Sequence, residues 1–420
     1  MYVRQPATAL GYPEVAGLLT PRLALLRHSR FRLLFAATFA SSFGNWLAVV
    51  ALQVDVYDRT HSGWWVGGLL LVNSVPALVI GLLLGPLVDR ASRKGLMIGS
   101  DLGRLLVFAA LPFTHSAAAT VALAALAGVG NGFFRPAVLA GLPNLVPDED
   151  LPSANALLQL VEWTTTAAGP LAGGAIAAAS GPHLAYFVNA GTFAVSALLV
   201  AFIPARLLQS EKSAGHGHWR DLAEGFAAVR GSRALVLVLV VWSTAMLAMG
   251  LVNVAEVFLA KVAYGAGDFG FGLLWAGSGV GLVVGGLAAA GFLNRSVGSA
   301  YVWFLALFAI GIACAAAAPN VWIGALAMVV AGIGNGAAVV GNITLVQRGA
   351  PDRVRGRAFT LLMSATYAVL TVSFVVAGPV TDAIGPRWTY AIGAIAIGAA
   401  CVAAAFLSRG VAVEPEPAPA

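Results

Sequence analysis

Charge is what this sequence has least of. Asp, Glu, Lys and Arg make up 10% of its 420 residues, where a soluble protein carries roughly 25%. So little charge cannot cover the water-exposed surfaces of two or three globular domains, which excludes an ordinary soluble fold. Cysteine is limited to Cys314 and Cys401, both inside apolar runs, so no disulfide framework is expected, only two buried thiols. No Gly-x-x-x-x-Gly-Lys-Ser/Thr stretch occurs, which excludes ATP hydrolysis on a P-loop. Six scattered histidines offer no metal-ligand spacing, His216 and His218 promising weak incidental affinity at most. No nucleophile stands near a base. Neither a metal, a cofactor nor an enzyme is therefore expected. The N-terminal stretch lacks a basic segment followed by an apolar one and a cleavage site, and reads as a cytoplasmic tail rather than a signal peptide.

What is present is apolar. Hydrophobic residues make up 59% of the chain, mean hydropathy is +0.87, and 49 glycines would let membrane helices approach closely. Apolar runs long enough to cross a bilayer fall at about 33–56, 64–84, 95–114, 118–141, 153–178, 184–203, 234–258, 270–293, 300–318, 322–346, 358–381 and 388–407. The expected class is an all-α membrane protein of twelve transmembrane helices. It divides into a cytoplasmic tail at 1–32, a six-helix bundle at 33–203, a cytoplasmic central loop at 204–233, a second six-helix bundle at 234–407 and a disordered cytoplasmic tail at 408–420.

The net charge of +6 could suggest nucleic acid, but its placement points to topology instead. With the N-terminus in the cytoplasm, nineteen Arg and Lys residues fall in cytoplasmic segments and three, Arg59, Lys261 and Arg387, in outer loops. That bias sets both termini inside. The halves also repeat. Ala127-Gly-Val-Gly-Asn-Gly132 returns 204 residues later as Ala331-Gly-Ile-Gly-Asn-Gly336, and Pro147-Asp148 as Pro351-Asp352; Gly169-Pro170 returns as Gly378-Pro379 at a shift of 209. Two six-helix repeats of the same orientation are expected, related by an axis along the membrane normal.

The loop after the second span reads Gly85-Pro-Leu-Val-Asp89-Arg90-Ala-Ser-Arg93-Lys94. Here the chain resembles the major facilitator superfamily, with Ser92 where a glycine is more usual. Ser100-Asp101-Leu-Gly-Arg104 and the stretch from Leu145 to Asn155 resemble its exporter branch of enterobactin exporters and macrolide efflux proteins. The resemblance, from Phe31 to Leu407, implies two halves rocking around one central site, with no nucleic-acid partner and function as a monomer in the lipid bilayer. It implies a gating loop of Gly85, Asp89, Arg90, Arg93 and Lys94. Asp89 would meet Arg135, or the start of span 11 near Arg355 and Arg357, and lock the inner face. Gly169, Pro170, Gly173 and Gly174 match the end of the family's antiporter motif, a helix-bending element, although the upstream glycines are Ala156 and Thr165 here. Ordinary small-residue packing explains the same four residues nearly as well.

Glu162 is the residue expected to carry coupling. It lies about nine residues into span 5, roughly 13–15 Å deep. A carboxyl there costs a few kcal/mol, so it should face a cavity and exchange a proton with it, unless Gln159 or Thr164–Thr166 simply satisfy it. The arginine that many proton-coupled family members carry in span 4 is Ala124 here, which leaves Glu162 as the candidate. Asp55 and Glu256 sit near outer helix ends where water is expected. Asp101 and Arg104 read as an i,i+3 ion pair. The family's cavity-lining spans 1, 4, 7 and 10 offer Asn45, Trp46, Gln53, Asn131, Trp242, Met246, Met249, Asn253, Asn335 and Asn342, a set suited to a bulky amphiphile. The expected function is export of a hydrophobic or amphiphilic small molecule against protons. The alternatives are an importer of a small nutrient, a non-transporting receptor or accessory subunit, and a membrane-embedded enzyme.

Overall fold

Each of the twelve apolar runs folds as one helix. The computed structural model describes residues 24–83, 91–208, 226–293, 297–350 and 352–408. Within them lie α1 (Ser29–Thr60), α2 (Gly63–Leu83), α3 (Arg93–Ala110), α4 (Ala117–Gly141), α5 (Leu151–Ser180), α6 (Pro182–Ala201), α7 (Arg233–Phe258), α8 (Gly267–Leu293), α9 (Val297–Ala317), α10 (Val321–Gly349), α11 (Asp352–Ile384) and α12 (Pro386–Ser408). Among the described residues, ten of these are long and apolar enough to cross a bilayer: α1, α3, α4 and α6–α12. Of the other two, α2 runs to the edge of the described residues, and α5 carries Gln159, Glu162 and three consecutive threonines, Thr164–Thr166.

Local chemistry sets the helix ends, and it repeats between halves. Ser116 Oγ accepts the Ala119 N–H at the start of α4 (3.2 Å), and Asn320, 204 residues on, accepts the Ile323 N–H at the start of α10 (3.1 Å). Both are N-caps that satisfy a free helix donor. The α5–α6 and α11–α12 turns each pass through a glycine at positive φ, Gly181 at 76° and Gly385 at 82°, again 204 apart. A proline opens the helix after each, where its missing N–H costs nothing.

Packing repeats the same way. In the first half α1 packs on α5 and α6, α3 on α4 and α6, and α2 on α4. In the second half every one of these contacts recurs six helices on: α7 on α11 and α12, α9 on α10 and α12, α8 on α10. The halves meet mainly through α2 against α11 and α5 against α8, two contacts that the same repeat interchanges.

The halves touch closely at the far end of the bundle, where α1 finishes and α2 begins. A Cβ on Gly63 would lie 2.6 Å from the Gly378 carbonyl oxygen, so only glycine allows α2 and α11 to come this near. The Asp382 carboxylate, from α11, accepts the Gly63 N–H (2.6 Å), the Trp64 N–H (3.3 Å) and the Ser62 hydroxyl (3.2 Å) at the start of α2. Lys261 bridges the halves a second time, donating to Asp58 at the end of α1 and approaching Asp268 at 2.6 Å. Toward the near end, where α1 begins and α12 finishes, the first half opens into a cavity.

Candidate functional site

Four helices of the first half make the cavity, which is about 480 Å³. α1 contributes Thr38, Ser42, Asn45 and Trp46; α3 contributes Arg104; α4 contributes Asn131, Phe134 and Arg135; α5 contributes Asn155, Gln159 and Glu162. Amides, aromatic faces and one breakable ion pair therefore share a single wall. The ion pair joins Arg135 Nη1 to Glu162 Oε1 at 3.1 Å, with Ser42 Oγ at 3.5 Å from the other carboxylate oxygen. Arg135 is 62% exposed and Glu162 27%, so water reaches both. Such a pair gains little net energy and exchanges partners readily. Of the threonines weighed as alternative partners of the Glu162 carboxyl, Thr165 and Thr166 donate to the Glu162 backbone carbonyl instead.

Behind this wall lies a buried charge cluster. Arg104 is 1% exposed and Asp101 0%. Arg104 Nη2 donates to Asp101 Oδ1 (2.5 Å) and Ser41 (3.1 Å), Nη1 to Asn131 Oδ1 (2.7 Å), and Ser196 donates to the other Asp101 oxygen (2.7 Å). The guanidinium also lies over Phe193 (4.2 Å) and Phe134 (4.9 Å). The i,i+3 ion pair expected of Asp101 and Arg104 is present, and its further partners make it join α1, α3, α4 and α6. Sequence held a signal that would have found it: the residues 204 positions on are Leu305 and Phe308, so the charge belongs to one half only.

Of the gating set, Gly85, Asp89 and Arg90 lie outside the described residues, as do His216 and His218. Arg135, expected opposite Asp89, gives its guanidinium to Glu162. Arg93 donates to the carbonyls of Ala140 (2.7 Å) and Leu208 (3.3 Å), Lys94 to those of Ala201 (2.6 Å) and Ile203 (2.8 Å). These two cations thus hold carbonyls at and beyond the C-terminal ends of α4 and α6, where carbonyl oxygens lack helical partners. Gly169 and Gly173 face α1 at Trp46 and Leu47, and Gly174 faces α8 at Gly272. α5 continues through Pro170 without interruption from Leu151 to Ser180. These three glycines pack closely on both neighbours.

The expected cavity residues separate into three groups. Asn45, Trp46 and Asn131 line the cavity. Trp46 also borders a chamber of about 190 Å³ between the halves, with Asn253, Trp275 and Phe374; its ring lies 5.7 Å from that of Trp275. The rest are in neither space. Trp242 and Met246 pack in the second half's core, Met249 packs against the core nearer the far end, and Asn342 accepts from Tyr301 (2.6 Å) at the α9–α10 contact. Gln53 and Asn335 are buried with amide atoms that have no hydrogen-bond partner among the described residues. Water was expected at Asp55 and Glu256, and both prove buried. Asp55 accepts from Arg59 (2.7 Å) and Tyr186 (3.0 Å), whereas Glu256 Oε1 has no partner among the described residues.

The family model of the Major Facilitator Superfamily matches residues 34–369. The multidrug efflux pump Tap of Mycolicibacterium fortuitum is 28% identical over 399 residues, 90% of this chain and 95% of Tap. The enterobactin exporter EntS of Salmonella typhimurium is 35% identical over 184 residues, 41% of this chain, and the match spans 43% of EntS. Among solved structures, the nucleoside transporter NupG superimposes at a TM-score of 0.71 with 13% identity, covering 90% of this chain and 99% of its own. A bacterial homologue of the iron transporter ferroportin in its inward-facing state gives 0.72 with 15% identity, covering 91% and 99%. At these identities the structures attest the fold, which is also the one built here from helix caps, repeat contacts and the cavity. The chain belongs to the Major Facilitator Superfamily and is a multi-pass membrane transporter.

Proposed function

We propose that the chain exports a hydrophobic or amphiphilic small molecule from the cytoplasm across the plasma (inner) membrane by alternating access, in exchange for protons. The observation that carries this reading is the Glu162–Arg135 pair, 3.1 Å apart in the wall of a cavity rich in amides and aromatic rings. A proton taken by Glu162 cancels its charge and releases Arg135. An ionised Glu162 recaptures Arg135 and closes that part of the wall. Substrate and proton thereby act on one switch, as exchange requires. The charge bias of the loops puts the near end and both termini in the cytoplasm, with 1–32, 204–233 and 408–420 as cytoplasmic segments flanking the two bundles. The far end, closed by Asp382 and Lys261, is then the outer face. Tap is described as a multidrug efflux pump and EntS as an enterobactin exporter, which favours export.

The energetics suffice. One charge moving through about 200 mV supplies about 4.6 kcal/mol, enough for a gradient of roughly a thousandfold in a neutral substrate. The test is proton flux in proteoliposomes, wild type against Glu162→Gln, across a panel of lipophilic drugs and a siderophore. Wild type should move protons only when a substrate is present, and the variant should not. Equal flux in both would remove Glu162 from coupling and overturn the mechanism.

A further inference from the structure

Asn131 is a cavity-wall amide whose oxygen the protein itself turns away from the cavity. A guanidinium has donors and no acceptor. Arg104 Nη1 lies 2.7 Å from the Asn131 side chain, so the Asn131 amide must turn its oxygen toward Arg104. The guanidinium is itself immobilised: Asp101 and Ser41 take its other terminal nitrogen, the Ser100 carbonyl takes Nε (3.3 Å), and Phe193 and Phe134 flank its plane. With its oxygen turned to Arg104, Asn131 presents its two N–H donors to the cavity it lines.

The second half supplies an internal control. Asn335 stands 204 residues after Asn131, but Phe308 replaces Arg104, and Leu305, Ala245 and Ala400 replace Asp101, Ser41 and Ser196. All four replacements are buried, so the same helix packing is satisfied by apolar side chains. Asn335 Oδ1 is buried with no partner among the described residues. The fold therefore does not demand the charge cluster, and what the cluster adds is a fixed Asn131. Gly130 makes room for it: a Cβ there would sit 2.7 Å from Arg104 Cγ.

We propose that Asn131 is a donor-only recognition residue, positioned by Arg104, and that the transported molecule presents an acceptor oxygen to it: a carbonyl, an ether, a phosphoryl oxygen or an oxyanion. Asp101 neutralises the guanidinium, so the contact attracts acceptors without adding net charge, while the guanidinium polarises the amide into a stronger donor. A cationic amphiphile without an acceptor gains nothing at this position. This proposal rests on the cavity being the transport site.

The test compares two probes of similar aryl bulk on the purified full chain: triphenylphosphine oxide, with one strong acceptor oxygen, and tetraphenylphosphonium, with none. Asn131→Asp keeps the side-chain volume and an oxygen for Arg104 but removes the N–H donors. Its fold is checked by gel filtration and thermal unfolding. Asn131→Leu, which also lacks the donors, serves as the second variant. The phosphine oxide should bind about tenfold more weakly to either variant, the loss of one polar hydrogen bond, with tetraphenylphosphonium binding unchanged or tighter. Equal weakening of both probes, or of neither, overturns the proposal. Transport of the same probes in vesicles separates the two readings. Transport without the binding difference refutes this proposal alone, and the binding difference without transport refutes the export reading alone.

Discussion

Arg104 and Phe308 occupy equivalent places in two halves that pack alike, and the comparison shows what a buried charge costs. At 1% and 0% exposure Arg104 and Asp101 have lost essentially all hydration, which their mutual contact and the hydroxyls of Ser41 and Ser196 replace. Removing one member strands the other, an effect of about 3–5 kcal/mol, whereas replacing both with packed apolar residues is often neutral. Asp101→Leu alone should therefore lower the thermal midpoint in detergent markedly. The double variant Asp101→Leu/Arg104→Phe, which copies the second half, should recover most of the loss. A double variant less stable than the sum of the singles would mean that the first half cannot accept the second half's packing. The double-mutant cycle is the right measurement, because neighbours in one network do not add.

At the scale of elements, the contact that matters most outside the cavity is the Asp382 carboxylate at the start of α2. Two backbone N–H groups without helical partners point at it, and the helix dipole favours its charge. Asn in its place keeps one acceptor but loses the charge, weakening closure of the far end by about 1 kcal/mol, roughly a fivefold rise in the far-open population. Spin labels at His115 and Pro319, exposed on the far-end loops of the two halves, report this as a longer-distance component in double electron–electron resonance once Cys314 and Cys401 are replaced. An unchanged distance distribution in Asp382→Asn would show that the cap does not hold the gate.

The element scale also shows what sequence made legible. Helix positions followed from apolar runs because each run is about the length a bilayer needs or longer. Their full lengths did not, since α1 extends to Ser29–Thr60 and α11 to Asp352–Ile384 through polar turns that a hydropathy argument discards. The Asp382 cap joins residues more than 300 apart in the chain and has no local signature. Cavity lining was legible only in part. A neighbour one position along a helix points about 100° away, so naming the right helix does not name the right face. Asn131 turned inward while Asn342, on the repeat-related helix, bonded Tyr301.

For the whole molecule, the repeat is compatible with the rocking that the proposed alternating access requires. The two interfaces that join the halves, α2 with α11 and α5 with α8, exchange under the same operation that maps one half on the other. A rotation about the bundle centre that loosens both at the far end brings their near ends together, which would seal the cavity from one side as it opens to the other. Under the alternating access proposed above, the far-end contact would break in every cycle. Ser62 Oγ and Asp382 Oδ2 lie 3.2 Å apart across it, so cysteines at these positions would face each other over the contact. In a background without Cys314 and Cys401, oxidised Ser62→Cys/Asp382→Cys should keep its affinity for probes that enter from the near end and lose transport. Reduction should restore transport. Full transport by the cross-linked protein would mean that the halves need not part at this face, and both alternating access and the role given to the Glu162–Arg135 switch would have to be abandoned.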